Sequence, residues 1–157
     1  MSEANSDIVV RKATKSDLNT LVAFNAAMAR ETEDKALDTE LLSKGVSAVL
    51  DRQGLGFYLL AEIDGRTVGQ LMITTEWSDW RNGYFWWIQS VYVDADYRRR
   101  GVYRALDSQV HAEAKKQGDV CGLRLYVERN NNVAQQVYSS LDMHLSHYDL
   151  FEIDFVL

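Results

Sequence analysis

The sequence of 157 residues has little cysteine, no excess of positive charge and no long apolar run. Its single cysteine, Cys121, excludes an internal disulfide, and its place at the start of an apolar stretch is typical of a small core thiol. The formal net charge of −6 argues against a general nucleic-acid or membrane-surface binder, because such partners select for a broad positive field. An anionic ligand must therefore be met by a local cluster of positive groups.

Segments of about twenty consecutive apolar residues, the length that spans a membrane, are also absent. The opening stretch from Met1 to Asp7 is polar and lacks the apolar core of a signal peptide, so we expect a cytoplasmic protein with no membrane partner. Proline, internal repeats and low-complexity segments are missing too, and 46% hydrophobic content fits one well-filled core. The sequence thus predicts a single domain over residues 1–157.

Two common nucleotide-binding motifs do not occur either. No Gly-x-x-x-x-Gly-Lys-Ser/Thr segment is present, and no Gly-x-Gly-x-x-Gly follows an apolar strand pattern. Among the three histidines, only His144 and His147 stand close together, at the entrance to a predicted strand, which is a weak basis for a zinc site. We therefore expect no metal.

The spacing of apolar residues predicts ten elements in the order β-α-α-β-β-β-α-β-α-β. An Asp64-Gly65 pair between two apolar runs indicates a tight hairpin. The chain between Arg30 and Lys35 is charged and predicts an acidic elbow between the first two helices, the second of which is capped by Asp38 or Thr39. The predicted strands cover residues 8–13, 57–63, 67–75, 84–93, 123–127 and 147–156, and the predicted helices begin near residues 18, 39, 99 and 133.

The passage from the fourth strand into the third helix is the most informative part of the sequence. A helix start leaves backbone N–H groups without intrahelical partners and carries partial positive charge, so it attracts phosphate. The run from Arg98 to Arg100, and Arg104 one turn later, add full charges with forked donors. Gly101 lets the main chain approach an anion without a Cβ in the way. Arginines also cluster on solvated helix faces, but here they follow an apolar strand and open a helix, which favours a polyanion site.

Two stretches of the sequence carry motifs of a known family. Residues 93–106, VDADYRRRGVYRAL, contain Arg98 and Gly101 between a predicted strand and a predicted helix, and residues 127–138, VERNNNVAQQVY, contain Asn131, Ala134 and Tyr138. The first stretch resembles the acetyl-CoA motif Gln/Arg-x-x-Gly-x-Gly/Ala of the GCN5-related N-acetyltransferase (GNAT) superfamily, with Tyr103 where the family has Gly or Ala. The second is similar to the Asn-x-x-Ala-x-x-x-Tyr segment of the same family. Further on, Asp142 stands where the family has Gly, and Asp tolerates a left-handed backbone well enough for the helix to end there.

The resemblance implies an α/β fold with a mixed, mostly antiparallel sheet of six to seven strands, four flanking helices and a V-shaped splay between strands 4 and 5. It implies transfer of an acetyl group from acetyl-CoA to a primary amine by direct attack in a ternary complex. Tyr138 would be the general acid, although its helical spacing also fits a core tyrosine, and Asn131 would contact the coenzyme or only cap its helix. The coenzyme-binding residues implied are Val91, Tyr92, Val93, Arg98, Arg99, Arg100, Gly101, Val102, Tyr103, Arg104, Asn131 and Tyr138.

The acceptor side of the reaction is less defined by the sequence. Trp87 and Gln89, where some family members place a carboxylate, cannot take a proton. Water would then relay the proton of the attacking amine to a glutamate, or the amine would arrive neutral and need no general base. The elbow residues Glu31, Glu33 and Asp34 would attract a cationic amine such as a polyamine or aminoglycoside, although a solvated loop explains them equally well. The carboxylates considered for the relay are Glu76, Glu31 and Glu128.

Three functions stay open at this point. The first is a small-molecule N-acetyltransferase, and the second is an enzyme that acetylates a protein or peptide. A non-catalytic acyl-CoA sensor is the third, favoured by Tyr103, Asp142 and the missing carboxylate on strand 4. A homodimer, formed through the last strand, is expected from family habit.

Overall fold

The computed structural model describes residues 7–157, so the polar opening stretch at residues 1–6 lies outside the described part of the chain. The described chain forms two compact units, one reaching Tyr126 and the other starting at Val127. The strands, all in the first unit, are β1 (Ile8–Lys12), β2 (Phe57–Ile63), β3 (Arg66–Ser78), β4 (Gly83–Val93) and β5 (Val120–Arg124). The helices are α1 (Leu18–Glu33), α2 (Thr39–Asp51) and α3 (Val102–Gln117) in the first unit and α4 (Asn132–Ser140) in the second.

The five strands form one mixed sheet in the order β1-β2-β3-β4-β5. The first four strands are antiparallel neighbours, whereas β5 runs parallel to β4. The β2–β3 turn contains Asp64 and Gly65 with φ of 50° and 75°, the left-handed pair that a two-residue hairpin turn requires. The hairpin prediction is therefore confirmed, as is the cap of α2, where Asp38 accepts a hydrogen bond from the Leu41 amide.

Helices cover both faces of the sheet because successive side chains of β2 alternate between them. Tyr58 and Leu60 pack with Leu21 of α1 and Val46 of α2 in one buried cluster. On the opposite face, the buried β2 and β3 side chains pack against α3. The members of this second cluster are Leu59, Ala61, Ile63, Val68, Leu71, Ile73, Trp86, Ile88, Val102, Leu106 and Val110.

Strands β4 and β5 pair over only part of their length. Their register runs from Tyr84 opposite Val120 to Trp87 opposite Arg124 and ends there. The second half of β4, from Ile88 to Val93, therefore extends beyond β5 while it stays paired with β3. This arrangement matches the splay expected between strands 4 and 5.

Five details of the prediction are wrong. Cys121, expected as a small core thiol, is exposed on β5, an edge strand of the sheet. The third helix begins at Val102 rather than near residue 99, because Gly101 caps it in a left-handed conformation.

The sheet has five strands rather than six or seven, because the alternating tail at residues 147–156 forms no strand. Local bonds replace a ladder there: Asp154 accepts from the amides of Val156 and Leu157. β5 begins three residues earlier than predicted, since Gly122 fits against Phe85, where a Cβ would lie 2.6 Å from the ring. The charged stretch up to Glu33 is the last turn of α1 rather than an elbow.

One ion pair, made by a buried carboxyl and a partly exposed arginine, supports a prediction about acid stability. The Arg11 guanidinium, 2.8 Å from Asp17, lowers the pKa of that buried carboxyl to about 2. A depressed pKa stabilises the fold above the carboxyl's ordinary pKa, and this contribution is lost as pH falls through the folded value. We expect Asp17→Asn to lower the free energy of unfolding by about 2 kcal/mol at pH 7, with the difference disappearing between about pH 4 and pH 2.

Urea unfolding of both proteins across this pH range checks the expectation. Asp51→Asn is the matched control, since Asp51 pairs with an exposed Lys15 and should change stability little. Equal destabilisation by the two substitutions, or a wild-type advantage that persists at pH 2, would contradict the assignment.

Among residues 7–157, no helix is long and apolar enough to cross a membrane.

Candidate functional site

The segment that joins β4 to α3 forms an open loop of left-handed and extended backbone. A short 3₁₀ turn, Ala95–Tyr97, follows the strand, and Arg99 and Gly101 then adopt φ of 64° and 81°. Gly101 is the N-cap of α3, and its carbonyl accepts the Ala105 amide at 3.0 Å. A Cβ at Gly101 would meet nothing within 4 Å, so space is open beside the loop. The unpaired amides of the first helical turn therefore lie next to a free volume.

Arg98 is tied to the end of α1. Its guanidinium donates to Glu31 at 2.6 Å and to the Val93 carbonyl at 3.0 Å. The same carboxylate accepts the Tyr92 hydroxyl at 3.1 Å, and the Arg98 group lies over the Tyr92 ring. The bond to Glu31 raises the pKa of Arg98, so this arginine stays charged. Arg98 thus connects the loop to α1 and shares its charge with Glu31.

The other arginines of the loop leave more of their charge open to solvent. Arg100 lies over the Tyr97 ring at 5.1 Å, and Arg66 lies over the same ring at 5.4 Å. Arg99 and Arg104 are exposed. The positive field beside the N-terminus of α3 therefore comes mainly from these exposed groups and the helix itself.

The two side chains that open α3 both serve the core. Val102 is 2% exposed and approaches Gly69 so closely that a Cβ there would lie 2.8 Å from it. The half-buried ring of Tyr103 packs against the same cluster. The ring that stands where the family has a small residue is thus accommodated by the core.

Half-buried side chains of β3 and β4 form a second group on the sheet. The Trp87 indole donates to Glu76 at 3.2 Å, and Arg124 of β5 donates to the same carboxylate at 2.8 Å. Gln89 donates to the Thr74 hydroxyl at 2.6 Å. Cross-strand register explains this grouping, because Thr74 lies directly opposite Trp87 and Trp87 opposite Arg124.

The structure does not bring all the predicted acceptor residues together. Trp87 and Gln89 belong to the β3–β4 group, whereas Glu31 contacts Arg98 and Tyr92. Glu33 is exposed and two residues further along α1, so it faces away from Glu31. Sequence reasoning missed Arg124 and Thr74, whose only signal is a strand register that spacing alone does not reveal.

The second unit contains the remaining predicted residues. Asn131 is the N-cap of α4 and accepts the Ala134 amide at 3.1 Å, and α4 ends beside Asp142, whose φ of 65° confirms the expected left-handed end. Burial raises the pKa of Tyr138 above its ordinary value, so its hydroxyl holds its proton throughout the neutral range. Glu128 accepts the Asn130 amide at 2.8 Å.

Side chains that could hold a metal ion are not grouped in the part of the chain that is described. Within residues 7–157, no set of three or more His, Cys, Asp or Glu side chains is arranged as a coordination site.

The sequence over residues 20–143 matches the Acetyltransferase (GNAT) family. The chain belongs to this family. A structure described as that of "a possible acetyltransferase from Clostridium difficile 630" is 43% identical, with a TM-score of 0.88 over 96% of this chain and 99% of that one. No curated protein matches the chain in sequence.

More distant GNAT structures share the fold. A ribosomal-protein-alanine N-acetyltransferase from Brucella melitensis biovar Abortus 2308 is 16% identical, with a TM-score of 0.77 over 95% of this chain and 99% of that one. An aminoglycoside N-acetyltransferase in complex with CoA is 14% identical, with a TM-score of 0.77 over 99% of each chain. At these identities the likeness shows the GNAT fold alone.

Proposed function

We propose that residues 1–157 form a single N-acetyltransferase domain that transfers an acetyl group from acetyl-CoA to a primary amine of a small molecule, by direct attack in a ternary complex. The observation that carries the proposal is the open N-terminus of α3. It combines left-handed backbone at Arg99 and Gly101, exposed arginines and a free volume. It follows directly after β4, which extends beyond its parallel neighbour β5.

The residues present fit the pyrophosphate of CoA. Free amides at a helix start bind phosphate oxygens, and Arg99, Arg100 and Arg104 add charge that solvent does not fully screen at short range. Val102 and Tyr103 contribute backbone rather than side chains, since both side chains pack in the core. Arg98 is proposed to affect coenzyme binding mainly by fixing the position of the loop, because its guanidinium is bonded to Glu31. Asn131 is proposed as a further coenzyme-binding residue.

Backbone donors on β4 are proposed to receive the reactive part of the coenzyme. Bound acetyl-CoA supplies a thioester carbonyl, and the amides of Val91 and Val93, with the chain of Tyr92 between them, would hold the pantetheine arm and polarise that oxygen. Preorganised donors of this kind usually give the largest single catalytic contribution. Tyr138, whose raised pKa keeps its hydroxyl protonated, would donate a proton to the departing sulfur.

No side chain of β4 is suited to take the proton of the attacking amine. Of the three carboxylates considered for a water relay, Glu76 bonds Trp87 of β4 as well as Arg124. Glu31 bonds Arg98 and Tyr92, whereas Glu128 bonds the Asn130 amide. Glu76 is thus the one in contact with Trp87, a predicted acceptor residue. We therefore propose Glu76 as the end of a water relay, with the arrival of a neutral amine as the alternative.

The acceptor is proposed to lie against Trp87 and Gln89 and to be attracted by Glu31 and Glu33. Since both glutamates are exposed, their effect is a screened field. We expect Glu31→Gln and Glu33→Gln each to raise the KM of a cationic amine about 2- to 5-fold at low salt, with little effect at high salt. Glu31→Gln should also change the Kd of CoA, because it releases Arg98, whereas Glu33→Gln should not. Steady-state kinetics and calorimetry measure the two quantities, and unchanged KM in both variants would refute the acceptor assignment.

Two other functions are tested by one acceptor panel. The wild-type protein is incubated with acetyl-CoA and either small amines or peptides with free amines, and the free thiol of CoA is measured. Turnover confined to small amines supports the proposal, and turnover confined to peptides supports protein acetylation. Binding of CoA with no turnover over the whole panel supports an acyl-CoA sensor.

The site of action and the assembly are part of the proposal. We propose that the protein acts in the cytoplasm and forms a homodimer. The tail supports the second point, since Leu145, Phe151 and Phe155 are each more than nine-tenths exposed and would be covered by a second copy. Sedimentation of the full chain and of a chain ending at residue 144 distinguishes a dimer from a monomer. The full chain should be a dimer and the shortened chain a monomer, and a monomeric full chain would refute the proposed dimer.

A further inference from the structure

A bulge interrupts the pairing of β3 with β4. Gln70 lies opposite Tyr92 and Met72 lies opposite Gln89, so that two residues of β4, Ser90 and Val91, oppose one residue of β3. Ser90 adopts a φ of 52°, which serine rarely takes. The bulge lies in the part of β4 that extends beyond β5. The main chain here is therefore held in an uncommon path by its surroundings.

The side chain of Gln70 bonds the bulge. Gln70 is fully buried, and its Nε2 donates to the Ser90 carbonyl at 2.9 Å. The direction of the amide is fixed by chemistry, because a carbonyl can only accept and the amide nitrogen must face it. The other amide atom, Oε1, has no hydrogen-bond partner among residues 7–157. A buried amide with one unbonded polar atom contributes little to the stability of the fold, because the cost of burying that atom offsets the hydrogen bond made by the other.

The Ser90 carbonyl and the Val91 N–H belong to the same peptide group. A trans peptide is planar and its C=O and N–H point in opposite directions, so fixing one fixes the other. The Gln70 side chain comes from β3 and holds the Ser90 oxygen towards that strand. The Val91 N–H is then aimed away from β3, towards the edge of β4 that β5 leaves open.

We propose that Gln70 is a positioning residue for acetyl transfer: by holding the Ser90 carbonyl across the bulge, it aims the Val91 amide at the oxygen of the thioester. The inference rests on the proposed function, in which this amide polarises the carbonyl. Without the clamp, the peptide between Ser90 and Val91 rotates and the donor loses its direction. Gln70 itself touches no reacting atom.

The test replaces Gln70 by methionine, which keeps the length and loses the amide. Removal of one such donor typically lowers turnover 10²- to 10³-fold, and loss of its aim should lower kcat by about 10- to 100-fold. The Kd of CoA should change less than about 3-fold, since one hydrogen bond at most is weakened. The melting temperature should change by no more than about 4 °C, because the half-satisfied amide contributes little net stability.

Gln109→Met is the matched control, since Gln109 lies on α3 and bonds only Glu113. It should leave kcat, Kd and melting temperature unchanged. Wild-type kcat in Gln70→Met would overturn the proposal. A loss of kcat matched by equal losses of CoA affinity and thermal stability would overturn it too, because that pattern indicates general disruption.

A second measurement separates this proposal from the proposed function. In ¹⁵N-labelled protein, addition of acetyl-CoA should shift the Val91 amide resonance of the wild type, and the shift should be lost in Gln70→Met while the loop amides around Gly101 still respond. If the wild type shows the Val91 shift but turns over no amine, the acceptor chemistry is refuted, whereas the role of Gln70 in holding the Ser90 carbonyl is not. Equal Val91 shifts in wild type and variant refute the clamp.

Discussion

Replacement of Gly101 by glutamate is expected to abolish CoA binding while the protein stays folded. The substitution places a side chain and a negative charge in the open volume beside the N-terminus of α3, where the pyrophosphate is proposed to bind. Like charges brought together in a binding site cost several kcal/mol, so the Kd should rise at least about 100-fold. Calorimetric titration of wild type and variant with CoA and with acetyl-CoA measures the change.

Backbone strain must be separated from the effect on the ligand, because Gly101 has a φ of 81° and any side chain is disfavoured there. Gly118 offers a matched control at the other end of the same helix. It has a φ of 86° and equally open surroundings. Gly118→Glu should show similar strain in thermal melts and normal CoA binding. Tight binding by Gly101→Glu would refute the phosphate site, and loss of binding by Gly118→Glu would point to strain instead.

Substitution of Tyr138 by phenylalanine is expected to lower kcat by about 10²- to 10⁴-fold, the usual contribution of a general acid. The Kd of CoA should change less than about 3-fold, because the substitution removes only one hydroxyl. Burial raises the pKa of Tyr138, so the wild-type hydroxyl stays protonated and kcat should show no loss of this acid below about pH 10. Steady-state kinetics from pH 6 to pH 10 test both statements.

Tyr148→Phe provides the control for that experiment. Tyr148 is an exposed tyrosine of the same unit, and its substitution should leave kcat unchanged. Full activity in Tyr138→Phe would remove this residue from the chemistry. A decrease in kcat that is equal in the two variants would indicate a general effect of the second unit rather than proton donation.

The parts of the fold that could be predicted from sequence are those with local causes. The Asp64-Gly65 turn needs only two residues that tolerate positive φ, and α3 ends at Gly118 for the same reason. The N-cap at Asn131 likewise depends on a side chain and an amide three residues apart. In each case the physical requirement lies within a few residues, so the sequence pattern carries it.

The parts that could not be predicted depend on distant residues. The bond between Arg98 and Glu31 joins positions far apart in sequence, and it changes the expected role of both side chains. The clamp of Gln70 on Ser90 depends on a one-residue change of register between β3 and β4, which no spacing of apolar residues reveals. The tail fails as a strand because alternation specifies a face but not a hydrogen-bonding partner.

The most direct test of the central claim is amine-dependent release of free CoA thiol from acetyl-CoA by the wild-type protein. The account predicts that thiol release requires both acetyl-CoA and an amine, and that the product carries one acetyl group on nitrogen. Thiol release and acetylated product should both be absent with Gly101→Glu. Tight binding of acetyl-CoA with no release over the amine and peptide panel would contradict the assignment as a transferase and support a sensor.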